Sequence, residues 1–229
     1  GFWTWSLGLG ALIFPFFPIY AQLNSYTVIR TTGIAYTPIA ATAVSTWSNG
    51  TGFDNLSTYL PIGFSFAYDG VIHSNFRVST NGFITFNLST PATGGNLPSC
   101  GTVEPYSYDN TKFTATGKAG TLQAIAPFYN SIEPTTYTLN LSVHYQTGGV
   151  APNRILTVQW RGMSESVNSS CSPCDYSDRN FQVKIYETSN NIEFLYSTMY
   201  EGWDITDNAY TSGINSSTMS GAPTITQLI

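Results

Sequence analysis

Beyond Gln22 no stretch places apolar residues at the 3.6-residue period of a helix; short runs alternate apolar with polar residues between Gly, Asn, Pro and Ser. Alternation with period two sends successive side chains to opposite faces, so each run can bury one face only by pairing and stacking with others. The expected fold is all-β, an antiparallel β-sandwich of about ten or more strands. Candidate strands are Tyr26–Arg30, Ile62–Tyr68, Asn75–Ser79, Phe83–Leu88, Leu122–Tyr129, Leu139–Gln146, Ile155–Arg161, Phe181–Tyr186, Ile192–Ser197 and Thr211–Ile214. Between Ser89 and Gly120 the chain is mostly Pro, Gly, Thr, Tyr and Ser, which predicts a long loop, a common place for function. Residues 22–229 are read as one domain.

The pattern also sets the register of three hairpins. In Phe76–Phe86, a two-residue Asn81-Gly82 turn would oppose Val78 to Thr85, mixing apolar and polar on each face. Pairing Val78 with Ile84 and Phe76 with Phe86 puts all four on one face, through a three-residue loop Thr80-Asn81-Gly82 with Gly82 left-handed. Asn81-Gly82 is therefore read as a turn. In the second hairpin Leu141, Val143 and Tyr145 are expected opposite Trp160, Val158 and Leu156, joined by Gln146–Arg154 and leaving His144 beside Thr157 on the polar face. In the third, Phe181, Val183 and Ile185 face Tyr196, Phe194 and Ile192, with Lys184 opposite Glu193.

Composition then narrows the setting. Only 9% of residues are charged and the net charge is -5, with no cluster among the eight Lys and Arg residues, which excludes a nucleic-acid partner. The apolar stretch Leu7–Phe17, followed by Ile19-Tyr20-Ala21, fits a secretory signal peptide over residues 1–21 with cleavage before Gln22. It is shorter than the ~20 residues of a membrane span, and Pro15 and Pro18 interrupt it. The mature chain is expected to have no membrane span, to be secreted or held at the cell surface, and to be a fragment of a longer protein with flanking domains.

Cys171-Ser172-Pro173-Cys174 and the separate Cys100 are disulfide candidates in an oxidising compartment, with the pairing open. His73 and His144 lack metal spacing to them. Two acidic loops have oxygen donors for calcium, Asp175 with Asp178 and Asp204 with Asp207; the second is the better candidate, although each reads first as a polar turn. No other cofactor is expected.

Several blocks, in order, resemble the nidogen-type extracellular domain: Leu60–Phe66, Phe76–Phe86, Ala124–Phe128, Val143–Tyr145, Leu156–Trp160, Asn180–Val183 and Ser212–Asn215. The S-T-N-G-F-I-T-F and A-P-F blocks are the specific part. Relatives of that family commonly carry an aromatic and then an acidic residue after A-P-F, where this chain has Tyr129-Asn130-Ser131. The resemblance implies a non-catalytic module of matrix or adhesion proteins and supplies no catalytic residues.

No nucleophile elbow, zinc-hydrolase motif or phosphate-binding Gly loop occurs. His73 is read as a solvated turn residue after Asp69-Gly70, and Glu187 and Glu193 as surface carboxylates flanking the third hairpin's turn rather than a glycosidase pair. The chain is therefore expected not to be an enzyme, but a structural or adhesion module meeting an extracellular protein or glycan surface. The alternative is a carbohydrate-binding module attached to a secreted enzyme, whose sugar-stacking candidates are Tyr106, Tyr108, Tyr176, Tyr200 and Trp203. Asn49, Asn55, Asn87, Asn140, Asn168 and Asn215 stand in N-x-S/T sequons.

Overall fold

The computed structural model describes residues 26–47, 56–87, 123–130, 132–134, 143–165, 178–197 and 211–215. Among these residues eleven strands and no helix occur: β1 (Thr42–Ala43), β2 (Leu60–Tyr68), β3 (Val71–Ser79), β4 (Phe83–Thr85), β5 (Ala124–Tyr129), β6 (Ile132–Pro134), β7 (Val143–Gly148), β8 (Ile155–Glu165), β9 (Arg179–Tyr186), β10 (Ile192–Tyr196) and β11 (Thr211–Ile214). They make two antiparallel sheets. One is six-stranded, in the order β1-β7-β8-β9-β10, with β6 also on β8; the other is five-stranded, in the order β11-β5-β4-β3-β2. The all-β sandwich read from the alternation is the fold.

Inward-facing positions of both sheets meet in one core. β2 shows the rule: Leu60, Ile62, Phe64, Phe66 and Tyr68 are buried, while Pro61, Gly63 and Ser65 between them are exposed. At the centre the Trp160 and Phe181 rings stack at 5.0 Å, and Phe128 lies 5.3 Å from Phe181. The Trp160 indole N–H donates across the sheets to the Ser79 carbonyl at 2.8 Å, which satisfies the one polar group of this large buried side chain. β4 and β5 are buried on both faces, so their sequences read as continuous apolar runs rather than alternations. Pro127 is tolerated within β5 because the β5–β11 register shifts there, and a bulge needs no ladder N–H.

The first hairpin has the expected register, Val78 opposite Ile84, and Gly82 has φ +78°. Phe76, Val78, Ile84 and Phe86 are all buried in the core. The Thr80-Asn81-Gly82 loop is itself buried and docks on β5, with Phe128 N–H donating to the Gly82 carbonyl and Asn130 N–H to that of Asn81. The third hairpin also matches, from Ile192–Ile185 to Tyr196–Phe181, with Glu193 opposite Lys184.

The second hairpin is slipped by two residues. Val143 pairs with Trp160, Tyr145 with Val158 and Thr147 with Leu156, so His144 stands opposite Gln159, not Thr157. A two-residue slip leaves every side chain on its face, so the apolar pattern cannot detect it; the loop decides. Here the strands run on to Gly148 and Ile155, and Gly149 turns at φ +89° with the Asn153 N–H closing on Val150.

Three further expectations are corrected. Tyr26–Arg30 is not a strand: its β-prone residues run unpaired, with the Tyr26 hydroxyl donating to the Asn190 carbonyl at the β9–β10 turn. β1 and β6 escaped the pattern because two or three residues show no period, and their strands form only through pairing with β7 and β8. Val71–Ser74 belong to β3, so His73 is a strand residue, half-buried and stacked on Phe86 at 4.6 Å. Burial lowers its pKa, against the opposing pull of the Tyr68 carbonyl and Asp69. The Ser89–Gly120 loop lies outside the described residues.

Candidate functional site

β10 ends the six-stranded sheet and β11 ends the five-stranded one, so both leave an edge on the same flank of the sandwich. Tyr186 N–H donates to the Asn191 carbonyl and Ser197 N–H to that of Asn180, so odd positions of β10 bond β9. Antiparallel alternation then turns the N–H and C=O of Ile192 and Phe194 towards the open side. The segment Tyr26–Ile34 runs alongside and encloses, with β10 and β11, a groove of about 610 Å³. Its walls combine apolar Ile34, Ile192, Phe194 and Ile214 with hydroxyls of Thr and Ser residues. Ile29 on the outer rim is 81% exposed, an unusual setting for a large apolar side chain.

The groove's floor is rigidly held. Tyr196 donates to the Pro127 carbonyl at 2.6 Å, and Ser212 also bonds that carbonyl, tying β10 and β11 to β5. At the far end Asn190, at φ +53°, accepts the Ala67 N–H on its side chain and the Tyr26 hydroxyl on its carbonyl. Burial pushes the Tyr26 phenol well up, so it remains a donor throughout the physiological range.

The carboxylates nearest the groove are engaged. Glu193 accepts the Tyr186 hydroxyl at 2.6 Å and lies 3.7 Å from the Lys184 ammonium. Glu187 is not merely a solvated turn residue: both of its oxygens bond the Arg154 guanidinium, and Arg154 N–H donates to it at 3.0 Å. Those hydrogen bonds hold the Glu187 carboxyl below its ordinary range. Arg154 also donates to the Gly63 carbonyl at 2.6 Å, while the Thr147 hydroxyl donates to that of Ile62 at 2.6 Å. β2 leaves β3 at a register shift between Pro61 and Phe66, and these two side chains capture the carbonyls that the shift releases.

Few of the residues singled out in the sequence are among the described ones. Tyr106, Tyr108, Tyr176, Tyr200 and Trp203, the calcium candidates Asp204 and Asp207, the cysteines Cys100, Cys171 and Cys174, and residues 1–21 all lie outside the described residues. Asp178, from the other acidic loop, is exposed and accepts the Asn180 amide at 2.8 Å. Among the described residues no three His, Cys, Asp or Glu side chains gather as a metal site, and no helix is long and apolar enough to cross a membrane. Sequence reasoning read β10 and β11 as strands but missed the groove, because its third wall, Tyr26–Ile34, does not pair with a neighbouring strand.

Fold and edge together define an all-β, two-sheet module. A family model described as NIDO related matches residues 25–227, and the chain belongs to that family. Comparison with curated proteins and with solved structures gave no match.

Proposed function

We propose that the chain is a non-catalytic structural or adhesion module of a secreted or surface protein, and that its contact with a protein partner is made at the β10 edge. The observation that carries this reading is the pair of outward-turned peptide units at Ile192 and Phe194, on the wall of a groove of about 610 Å³. An extended peptide can add to such an edge, main-chain bonds giving affinity and alternate side chains filling apolar pockets. Glu187 and Glu193, the carboxylates an enzyme reading would need, are engaged in ion pairs that join neighbouring strands. Export through residues 1–21, with Gln22 opening the mature chain, completes the reading and is checked by mass spectrometry of the secreted protein's N-terminus.

A displayed library of extended heptapeptides, with a glycan array in parallel, tests it. Peptides rich in alternating β-branched and aromatic residues should be selected, and the exposed-rim variant Ile29→Asp should weaken them about tenfold or more. Selection of sugars without peptides would favour the carbohydrate-binding alternative, and turnover lost in Glu187→Gln would replace both.

A further inference from the structure

Beyond the edge groove, the same N-terminal segment crosses the outer face of the six-stranded sheet as a strap. The Gln182 amide donates to the Thr37 carbonyl at 2.8 Å on β9, and Ile39 N–H donates to Gln159 Oε1 at 2.9 Å on β8. Thr42 and Ala43 then pair with Tyr145 and His144 at the edge of β7. From β8 to β1 is two strand spacings, roughly 9.6 Å, about the full reach of the three residues from Ile39 to Thr42. The chain is therefore drawn taut across β7, on whose outer face His144 stands.

Under the strap the strands set His144, Gln159 and Gln182 side by side in one row. Gln159 and Gln182 are buried, at 0% and 1% exposure, although their positions on the outward face would ordinarily be solvated. Among the described residues Gln159 Nε2 and His144 Nδ1 are buried with no hydrogen-bond partner. Burial favours neutral imidazole here over imidazolium. β8 turns Gln159 and the cationic Arg161 towards it, and β9 adds Gln182 and, further along, Lys184. The strap from Ile39 to Val44 contains no titratable side chain, and β7 itself offers Val143, Tyr145 and Gln146. Of the acids on this side, Asp178 acts on Tyr36, whose phenol burial pushes up to about 12, and Glu193 pairs with Lys184. Burial first, and Arg161 second, lower the pKa of His144.

We propose that the strap is an acid-released latch: protonation of His144, beside Ala43 of β1, detaches the strap from the outer face and uncovers the β7 edge. With the strap closed the imidazole titrates below its ordinary value, and with the strap open it titrates near that value, about 6.5. The closed strap therefore keeps its full stability above about pH 6.5 and loses it as pH falls below that value.

Amide hydrogen exchange, corrected for its intrinsic pH dependence, reads the latch directly. Ile39 and Val44, whose N–H groups bond Gln159 and the Val143 carbonyl, should lose protection between pH 7.5 and 5.0, while central β8 and β9 amides keep theirs. The loss is bounded at about 30-fold, the limit when only the open strap binds the proton. His144→Gln should abolish the loss and His73→Gln should keep it. Arg161→Gln, at an exposed position, should diminish it by removing the like charge. Protection independent of pH, or a loss unchanged in His144→Gln or in Arg161→Gln, overturns the latch; the arginine variant decides the matter even where the histidine variant does not fold.

Discussion

Two glycines with nearly the same backbone angle offer a controlled test of how the sandwich is closed. Gly82 has φ +78° and Gly70 has φ +75°, both in the region that L-residues adopt at a cost of about 1–2 kcal/mol. A Cβ at Gly70 would meet nothing within 4 Å, and stiffening of the unfolded chain returns roughly 0.4–1 kcal/mol. Gly70→Ala should therefore destabilise by about 1.5 kcal/mol or less. A Cβ at Gly82 would lie 1.8 Å from the Phe128 carbonyl oxygen, far inside the 3.0 Å that real contacts respect, and the obstacle is backbone. β5 would have to move, and with it the docking bonds of Phe128 N–H to Gly82 and of Asn130 N–H to Asn81. Each of the two buried bonds lost costs about 1–3 kcal/mol, so Gly82→Ala should cost about 2–6 kcal/mol more than Gly70→Ala, comparable with the whole stability of a marginal domain. Urea titration followed by tryptophan fluorescence measures both variants. A difference between them smaller than about 1 kcal/mol would refute the reasoning, since the left-handed angle alone would then explain both.

Trp160→Phe removes the cross-sheet bond to the Ser79 carbonyl and leaves part of the indole volume empty, so thermal unfolding should show a loss of about 2–3 kcal/mol. Glu187→Gln should lower stability at pH 7 and flatten its acid limb. The Glu187 carboxyl is held below its ordinary 4.5, so its contribution is present above that value and is lost as pH falls through the lower one, as urea midpoints between pH 3 and 7 would record. Asn215 stands in a sequon but is fully buried, its side chain accepting the Ala124 N–H at 2.6 Å. Peptide mapping of folded protein from a glycosylating host should find Asn215 unmodified, and a glycan there would contradict the β5–β11 arrangement.

The sandwich was legible because inward positions repeat every second residue: β2 and β9 carry their burial openly in Leu60–Tyr68 and Phe181–Ile185, and β10 repeats the apolar period in Ile192, Phe194 and Tyr196. Loop chemistry was legible where the faces demanded one register, as at Gly82, and ambiguous where a slip of two preserved them, as at His144. The groove and strap were not legible. Thr27–Arg30 has strand propensity without a strand partner, and Gln159 and Gln182 carry polar side chains at outward positions that only tertiary cover makes buried. Propensity describes a residue and its neighbours in sequence; cover is supplied by residues more than a hundred positions away.

The same distinction explains why the two most specific blocks of the sequence work as a pair. S-T-N-G-F-I-T-F supplies a loop whose carbonyls point out of the hairpin, and A-P-F supplies the N–H groups that they accept, at Phe128 and two residues on at Asn130. Gly82 permits the approach, and Pro127, lacking an N–H, leaves its carbonyl to receive Tyr196 and Ser212 from the neighbouring edges. One short strand thus joins the turn of the first hairpin to the floor of the groove. Asn130, where relatives commonly carry an acid, is buried at 2% exposure, and a carboxylate there would have to be desolvated or paired. An amide fills that position without a charge to desolvate.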